Sequence, residues 1–218
     1  MKITKYPQSC ILVDTGIKKI LFDPGILKYK DEYFDVFNSC DAVFVTHKHS
    51  DHCNVELISS LKKEIAVFST SEVAGAYPEL SNLKTISEGD TVQIGNATVT
   101  AVKAIHGYQP KMRGNEVYEN IGYTLSDGKK TIYITSDTIC FPTDIKTDVI
   151  CIPVTGHGVT MSAYEASLFS KETGAKVVIL THMDNPAFEV DYAYIDKHFA
   201  NAGVEYTILE IGDQFTIG

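Results

Sequence analysis

Three histidines and an aspartate crowd into six residues of the stretch "DAVFVTHKHSDHC", Asp41 to Cys53. They are His47, His49, Asp51 and His52, in a chain that has only seven histidines, so the clustering is not a matter of abundance. The spacing H-x-H-x-D-H does not suit a helix, where positions i and i+2 lie on different faces. In an extended segment, side chains two apart point the same way. His47 and His49 then reach one ion, with Asp51 following on the same side. His52 is out of phase and faces a second ion where the chain bends. Imidazole nitrogen and carboxylate oxygen together suit zinc, manganese or iron(II), with no thiolate required. The ordinary alternative is a solvated polar loop.

A centre for two ions needs more ligands, and the sequence supplies them at strand ends. "VTAVKAIHG" leads to His106, "TIYITSDT" to Asp137 and "VVILTHMD" to His182, each after an apolar β-type run like the one before His47. A single polar residue where a strand meets water is commonplace. The repeated placement is the argument, because loops at the carboxyl ends of strands are where α/β proteins carry their chemistry. His157, in "TGHGVTM", is a candidate for substrate contact or proton transfer; pinning its loop is the plainer alternative. The loop "GYQPKMRGNEVYEN" follows His106 and carries the chain's one arginine, Arg113, close to Lys111. In an acidic chain that placement suggests capture of a phosphate or carboxylate, against the alternative of solvated loop charges. His198 falls in a helical pattern and reads as surface or packing. Cys53 and Cys140 lie near these residues but read as small apolar fillers.

The elements that must position these residues alternate between strand and helix. "SCILVDTG", "KKILFDPG", "DAVFVT" and "IAVFST" read as strands, with a helix over "NVELISSLKKE" and a short one over "SEVAGAY" that Ser71 could cap. "DTVQIG", "ATVTAVKAI" and "IGYTLSDGKKTIYITS" read as strands and hairpins, with a tight turn at Asp127-Gly128. "DVICIPV" and "AKVVILT" are buried strands flanking the helix "SAYEASLFSKETG", which has a Ser162/Glu165 capping box and Gly174 as its C-terminal stop. A last helix, "DYAYIDKHFANAG", precedes closing strands in "VEYTILEIGDQFTIG". Two strand-rich halves with attached helices are most simply packed as two sheets with helices on the outer faces.

Composition narrows the function. The chain has 218 residues, 44% of them hydrophobic and 22% charged, which is enough for one sizeable core. The formal net charge of −9 disfavours general binding to nucleic acid. No apolar run approaches the ~20 residues needed to cross a bilayer. "MKITKYPQSCILVDTG" lacks the features of a signal peptide, so a cytoplasmic location is expected. Five scattered cysteines with no CxxC pair predict free, buried thiols rather than a disulfide framework.

The ordered set H-x-H-x-D-H, His106, Asp137 and His182 resembles the metallo-β-lactamase fold superfamily, over nearly the whole chain. "SCILVDTGIKKILFDPG" resembles its first strands and their DPG turn. "TIYITSDTICF" resembles the strand bearing the bridging aspartate, with Ser136 where that family usually has glycine. "IPVTGHGVTMSAYEA" and "GAKVVILTHMD" resemble the small metal-dependent hydrolases related to L-ascorbate-6-phosphate lactonase. The resemblance implies an α/β protein with a four-layer αββα sandwich, residues 1–218 forming one hydrolase domain. It implies two divalent ions, zinc first with manganese or iron(II) as alternatives. His47, His49 and His106 would hold one, Asp51, His52 and His182 the other, and Asp137 both. The expected function is hydrolysis by a metal-bridging hydroxide of a small, anionic ester, lactone or phosphoester, with Asp51 also orienting the nucleophile. A phosphodiesterase or nuclease on the same fold is one alternative, and a non-catalytic metal-binding member another. The expected partner is a small molecule, without membrane or nucleic acid. Small relatives often assemble, so a homo-oligomer is consistent with the resemblance. The segment after Asp137 is short, and a helix found in relatives is expected to shrink to a loop there.

Overall fold

Val43 alternates with Ala42 and Phe44 along one strand and Val45 directly follows it, yet all four are buried, in two different apolar clusters. A strand covered on both faces reads as a continuous apolar run, and this is why the runs before the histidines carry no polar alternation. The computed structural model describes all residues, 1–218. In chain order its elements are β1 (Lys2–Lys5), β2 (Ile11–Asp14), β3 (Lys19–Phe22), α1 (Phe34–Phe37), β4 (Ala42–Phe44), α2 (Val55–Ser60), β5 (Ala66–Ser69), α3 (Ser71–Ala76), β6 (Leu83–Thr85) and β7 (Thr91–Ile94). Then come β8 (Ala97–Lys103), β9 (Ile121–Ser126), β10 (Thr131–Ile134), β11 (Val149–Pro153), α4 (Ala163–Thr173), β12 (Val177–Thr181), α5 (Tyr192–Ala202) and β13 (Gln214–Thr216).

The strands form two sheets, ordered β13-β1-β2-β3-β4-β5-β6 and β12-β11-β10-β9-β8-β7. Between them lies a core that includes Phe22, Phe44, Tyr123, Ile132 and Ile179. A second cluster packs α2 and α3 onto the outer face of the first sheet through Leu57, Ile58 and Val73. A third packs α4 and α5 onto the second sheet through Ala166, Phe169, Ile195 and Phe199. The architecture is the expected αββα sandwich. Phe22, Phe44 and Phe68 stack in a row with centroid separations of 5.5 and 4.8 Å, and Tyr123 closes it with a 2.8 Å hydrogen bond from its hydroxyl to the carbonyl of Val45. Truncating Phe44 to alanine would cost about 3–5 kcal/mol and loosen the floor beneath His47.

Parallel pairing puts several strand ends on the same side. β3 to β6 run parallel to one another, as do β10, β11 and β12. His47 follows β4, Asp137 follows β10 and His182 follows β12, while His106 follows the antiparallel strand β8. Helix ends follow sequence signals closely. The Ser162/Glu165 capping box is present, and Gly174 takes the left-handed conformation at the end of α4. One cap moves: the side chain of Thr70, not Ser71, accepts from the Val73 N–H at the start of α3. Ser71 instead donates to the carboxylate of Glu119, 2.7 Å away. No helix occupies the segment between Asp137 and β11. Four cysteines are buried as expected, whereas Cys140 is exposed.

Candidate metal centre

The seven singled-out histidines and aspartates converge at the carboxyl ends of the strands. His47, His49 and His106 form one group, Asp51, His52 and His182 another, and His47, His52 and Asp137 a third that joins them. Within each group the candidate ligand atoms lie within 4.8 Å of one another. Asp137 lies 3.3 Å from His52 Nε2 and 3.1 Å from His182 Nε2. Asp51 Oδ2 sits 3.4 Å from His182 Nε2. Extended spacing alone puts Asp51 on the side of His47 and His49, and this is corrected; the resemblance groups it with His52 and His182, as the structure does. The backbone turns between His49 and His52, with the His52 N–H bonded to the His49 carbonyl at 3.0 Å. The turn breaks the extended phase and carries Asp51 to the other group.

The ring orientations are fixed from behind. The Thr46 hydroxyl donates to Asp23 at 2.9 Å, so its lone pairs receive the Nδ1–H of His47 at 3.0 Å. His106 Nδ1 donates to the Gly107 carbonyl at 2.7 Å, and His182 Nδ1 meets the Thr155 hydroxyl at 3.3 Å. His52 Nδ1 contacts Asp23 Oδ2 at 2.8 Å. These four rings therefore turn Nε2 towards the centre. His49 is reversed: its Nε2 bonds the Asn115 carbonyl at 3.0 Å, leaving Nδ1 for the centre.

Whether this set fits a metal can be tested on the atoms themselves. His47 Nε2, His52 Nε2, His106 Nε2 and Asp137 Oδ1 are buried and make no hydrogen bond. His52 Nε2 and Asp137 Oδ1 lie 3.3 Å apart, an ion pair whenever the ring is protonated, and neither has another partner. Buried polar atoms are almost always paired, so two with no partner beside two that have only each other match a site for cations. Imidazole and carboxylate ligands with oriented outer partners match it chemically.

The electrostatics differ across the centre. Burial, with the neighbouring His52 and His106, pushes His47 well below its ordinary value. Burial also lowers His106, to about 4. For His182 burial acts downward too, but the carboxylates of Asp137 and Asp51 outweigh it and hold the ring at about 9. His52 is raised well above its ordinary value by Asp137, Asp23 and Asp51 against the same desolvation. The burial of Asp137 and the partial burial of Asp51 would alone raise them, yet His52 and His182 hold both below the usual carboxylate range.

The backbone around the centre is strained. Five non-glycine residues have positive φ: Gln8, Asp23, Lys28, Ser136 and His182. His182 is a member of the centre, Gln8 and Asp23 contact it, and Ser136 precedes Asp137. Ser136 adopts φ +67° where the resembled family usually has glycine, and its hydroxyl is tied to Asn120 at 2.8 Å. Such strain persists only where surrounding contacts over-determine it, and it concentrates at functional sites. Gly25 is needed for close approach, since a Cβ there would lie 1.9 Å from the Asp51 carbonyl oxygen.

The other sequence candidates are placed less uniformly. His157 is half-buried, its ring stacked 3.7 Å from that of Phe188 and 5.8 Å from that of His182, with both nitrogens unpaired. Burial and then His182 lower its pKa. Lys111 and Arg113 lie exposed on and just after a 3-10 turn, Pro110–Met112, in the loop whose Asn115 caps His49. A cavity of about 490 Å³ opens beside His106, lined among others by Lys103, Ile105, Tyr118 and Asn120, and neither Lys111 nor Arg113 lines it. Lys103 is the cation the sequence reading passed over. Asp23, Thr46 and Gln8 were passed over as well. Asp23 carried one signal, since it also follows an apolar strand. His198 packs between Tyr164 and Tyr194, away from the centre.

Fold and centre together define the class. The chain belongs to the beta-lactamase superfamily, whose domain model matches residues 2–182. A Mycobacterium tuberculosis protein is 28% identical over 133 residues, a match spanning 59% of each chain. A metal-dependent hydrolase of Flavobacterium johnsoniae is 25% identical over 228 residues, covering 100% of both chains. Among solved structures, a metallo hydrolase of the archaeon Ignicoccus hospitalis superposes with a TM-score of 0.80 over 100% of this chain and 99% of its own, at 22% identity. That likeness speaks for the fold.

Proposed function

We propose that this protein, a metal-dependent hydrolase of the metallo-β-lactamase fold, works with two divalent ions on a small, anionic ester, lactone or phosphoester. His47, His49 and His106 would hold one ion. Asp51, His52 and His182 would hold the other, with Asp137 between them. The observation that carries this reading is the cluster of buried ligand atoms in which His47 Nε2 and His106 Nε2 have no partner and His52 Nε2 and Asp137 Oδ1 have only each other. Divalent ions held there would lower the pKa of a water towards neutrality and polarise a substrate oxygen. Zinc is the first choice, with manganese and iron(II) compatible with the donor set.

The chain's own residues divide the remaining work. Asp51 stays ionised and only partly buried, so one carboxylate can both ligate and take a hydrogen bond from the attacking water. His157 is favoured in its neutral form, with its ring fixed against Phe188, which suits it to receive a proton or contact the substrate on the His182 side. The cavity beside His106 is the natural seat for the substrate. Lys103 lines it, and Lys111 and Arg113 stand on the loop that reaches His49, which supports an anionic substrate.

The test is a screen of lactones, esters, thioesters and phosphodiesters with metal-reconstituted protein. Turnover of at least one class is expected, with KM raised by Lys103→Glu or Arg113→Glu for anionic members. No turnover of any class by protein loaded with zinc, manganese or iron(II) would contradict the hydrolase mechanism. Turnover confined to neutral substrates would contradict the substrate class.

A further inference from the structure

Gln8 lies in the loop between β1 and β2, far in sequence from every ligand, and its side chain is 1% exposed. Its amide orientation is decided by its partners. Oε1 accepts from the Asp184 N–H at 3.0 Å, so the NH₂ group faces the other way. There Nε2 lies 3.3 Å from Asp51 Oδ2 and 3.3 Å from His182 Nε2. The opposite orientation would set the amide oxygen against a carboxylate and the NH₂ against an N–H, unfavourable on both sides.

The backbone of Gln8 is anchored to the same segment. Its N–H donates to Asp184 Oδ2 at 2.7 Å, and its carbonyl receives the His182 N–H at 3.2 Å. Asp184 is itself held by the buried ammonium of Lys5 at 3.1 Å. Gln8 keeps φ +57°, a conformation a glutamine rarely adopts. Clamped at both ends, it ties the first loop of the chain to the ligand loop after β12 and reaches the carboxylate of Asp51 from there.

We infer that Gln8 is a positioning residue for the second ion, its NH₂ group holding the carboxylate of Asp51 and its backbone carbonyl holding the His182 N–H where that ion requires them. The inference rests on the two-ion reading. Donors behind a ligating carboxylate fix its direction, and losing such an outer contact typically lowers metal affinity about 10–100-fold.

The experiment is a zinc titration of the full-length, metal-stripped protein against a chromophoric chelator, for wild type, Gln8→Met and Gln8→Asn. Methionine keeps the volume and removes the donors. Asparagine tolerates the positive φ but is one methylene too short to reach. In both variants the second equivalent should weaken about 10–100-fold, with the first unchanged within a factor of two. A wild type that takes up two equivalents, with variants that bind both equally tightly, would overturn the role of Gln8 alone. Equal weakening of both equivalents with a lowered melting temperature would make Gln8 a packing residue and overturn it too. A wild type that takes up fewer than two contradicts the two-ion reading, and with it this role.

Discussion

The two halves of the centre are built from different materials. The half around His47, His49 and His106 has only imidazoles, and burial holds His47 and His106 in the neutral form, the latter at about 4. The half around Asp51, His52 and His182 sits against Asp137, and there the carboxylates overcome burial and raise both histidines, His182 to about 9. Imidazole must be neutral to ligate. The first half is therefore ready for a cation, while the second favours protonated imidazole and should release protons when an ion enters. The first should load with weak pH dependence and the second with a strong one.

The largest effect should come from the acidic half. Asp51→Asn should lower turnover about 10²–10⁴-fold, because it removes a ligand charge and the acceptor for the attacking water. Steady-state rates at matched metal loading, with circular dichroism to confirm the fold, would check it. Turnover within threefold of wild type would remove Asp51 from the reaction.

Next in size is the support behind the rings. Asp23 is buried, takes hydrogen bonds from the N–H and hydroxyl of Thr46 at 2.8 and 2.9 Å, and meets His52 Nδ1 at 2.8 Å. Asp23→Ala should weaken the second ion about 10–100-fold. Competitive zinc titration would measure it, and a loss confined to the first equivalent would reverse the assignment of Asp23. Thr155→Val touches His182 through a longer contact of 3.3 Å and should cost about 1 kcal/mol, roughly fivefold in the same affinity.

Proton release would sharpen the comparison. Calorimetric titration at pH 7 in buffers of different ionisation heat should show at least one proton released with the second equivalent and less with the first. Equal release in both steps would erase the difference between the halves. The metal-free protein offers a related check. The folded value of His182, about 9, lies above its ordinary 6.5, so protonation stabilises the metal-free fold fully below pH 6.5. That contribution is lost as pH rises through 9. Thermal melts of stripped protein should therefore fall across this range, and a rise would contradict the assignment.

Much of this was legible in the chain. The apolar runs before His47, Asp137 and His182 are strands covered on both faces, and such strands announce themselves without alternation. The capping box of α4 is local chemistry and reads directly. What escaped is what depends on tertiary approach. Gln8 meets Asp51 and His182 across 43 and 174 residues, and nothing near it in sequence points there. Asp51 went to the other half because one turn reset the phase that an extended chain would have kept. Thr70 and Ser71 are adjacent and both able to cap, and only the entry angle of the chain decides between them. Lys103 ends β8, where a lysine reads as an ordinary solvated strand end, and only the tertiary fold opens a cavity beside it.

The most direct test of the two-ion centre is the metal content of protein purified without chelator or affinity metal, by elemental analysis beside a His49→Ala variant. The account predicts about two equivalents per chain in the wild type, falling by about one in the variant. No metal in either, and no uptake on reconstitution, would mean that these seven residues do not form a metal centre.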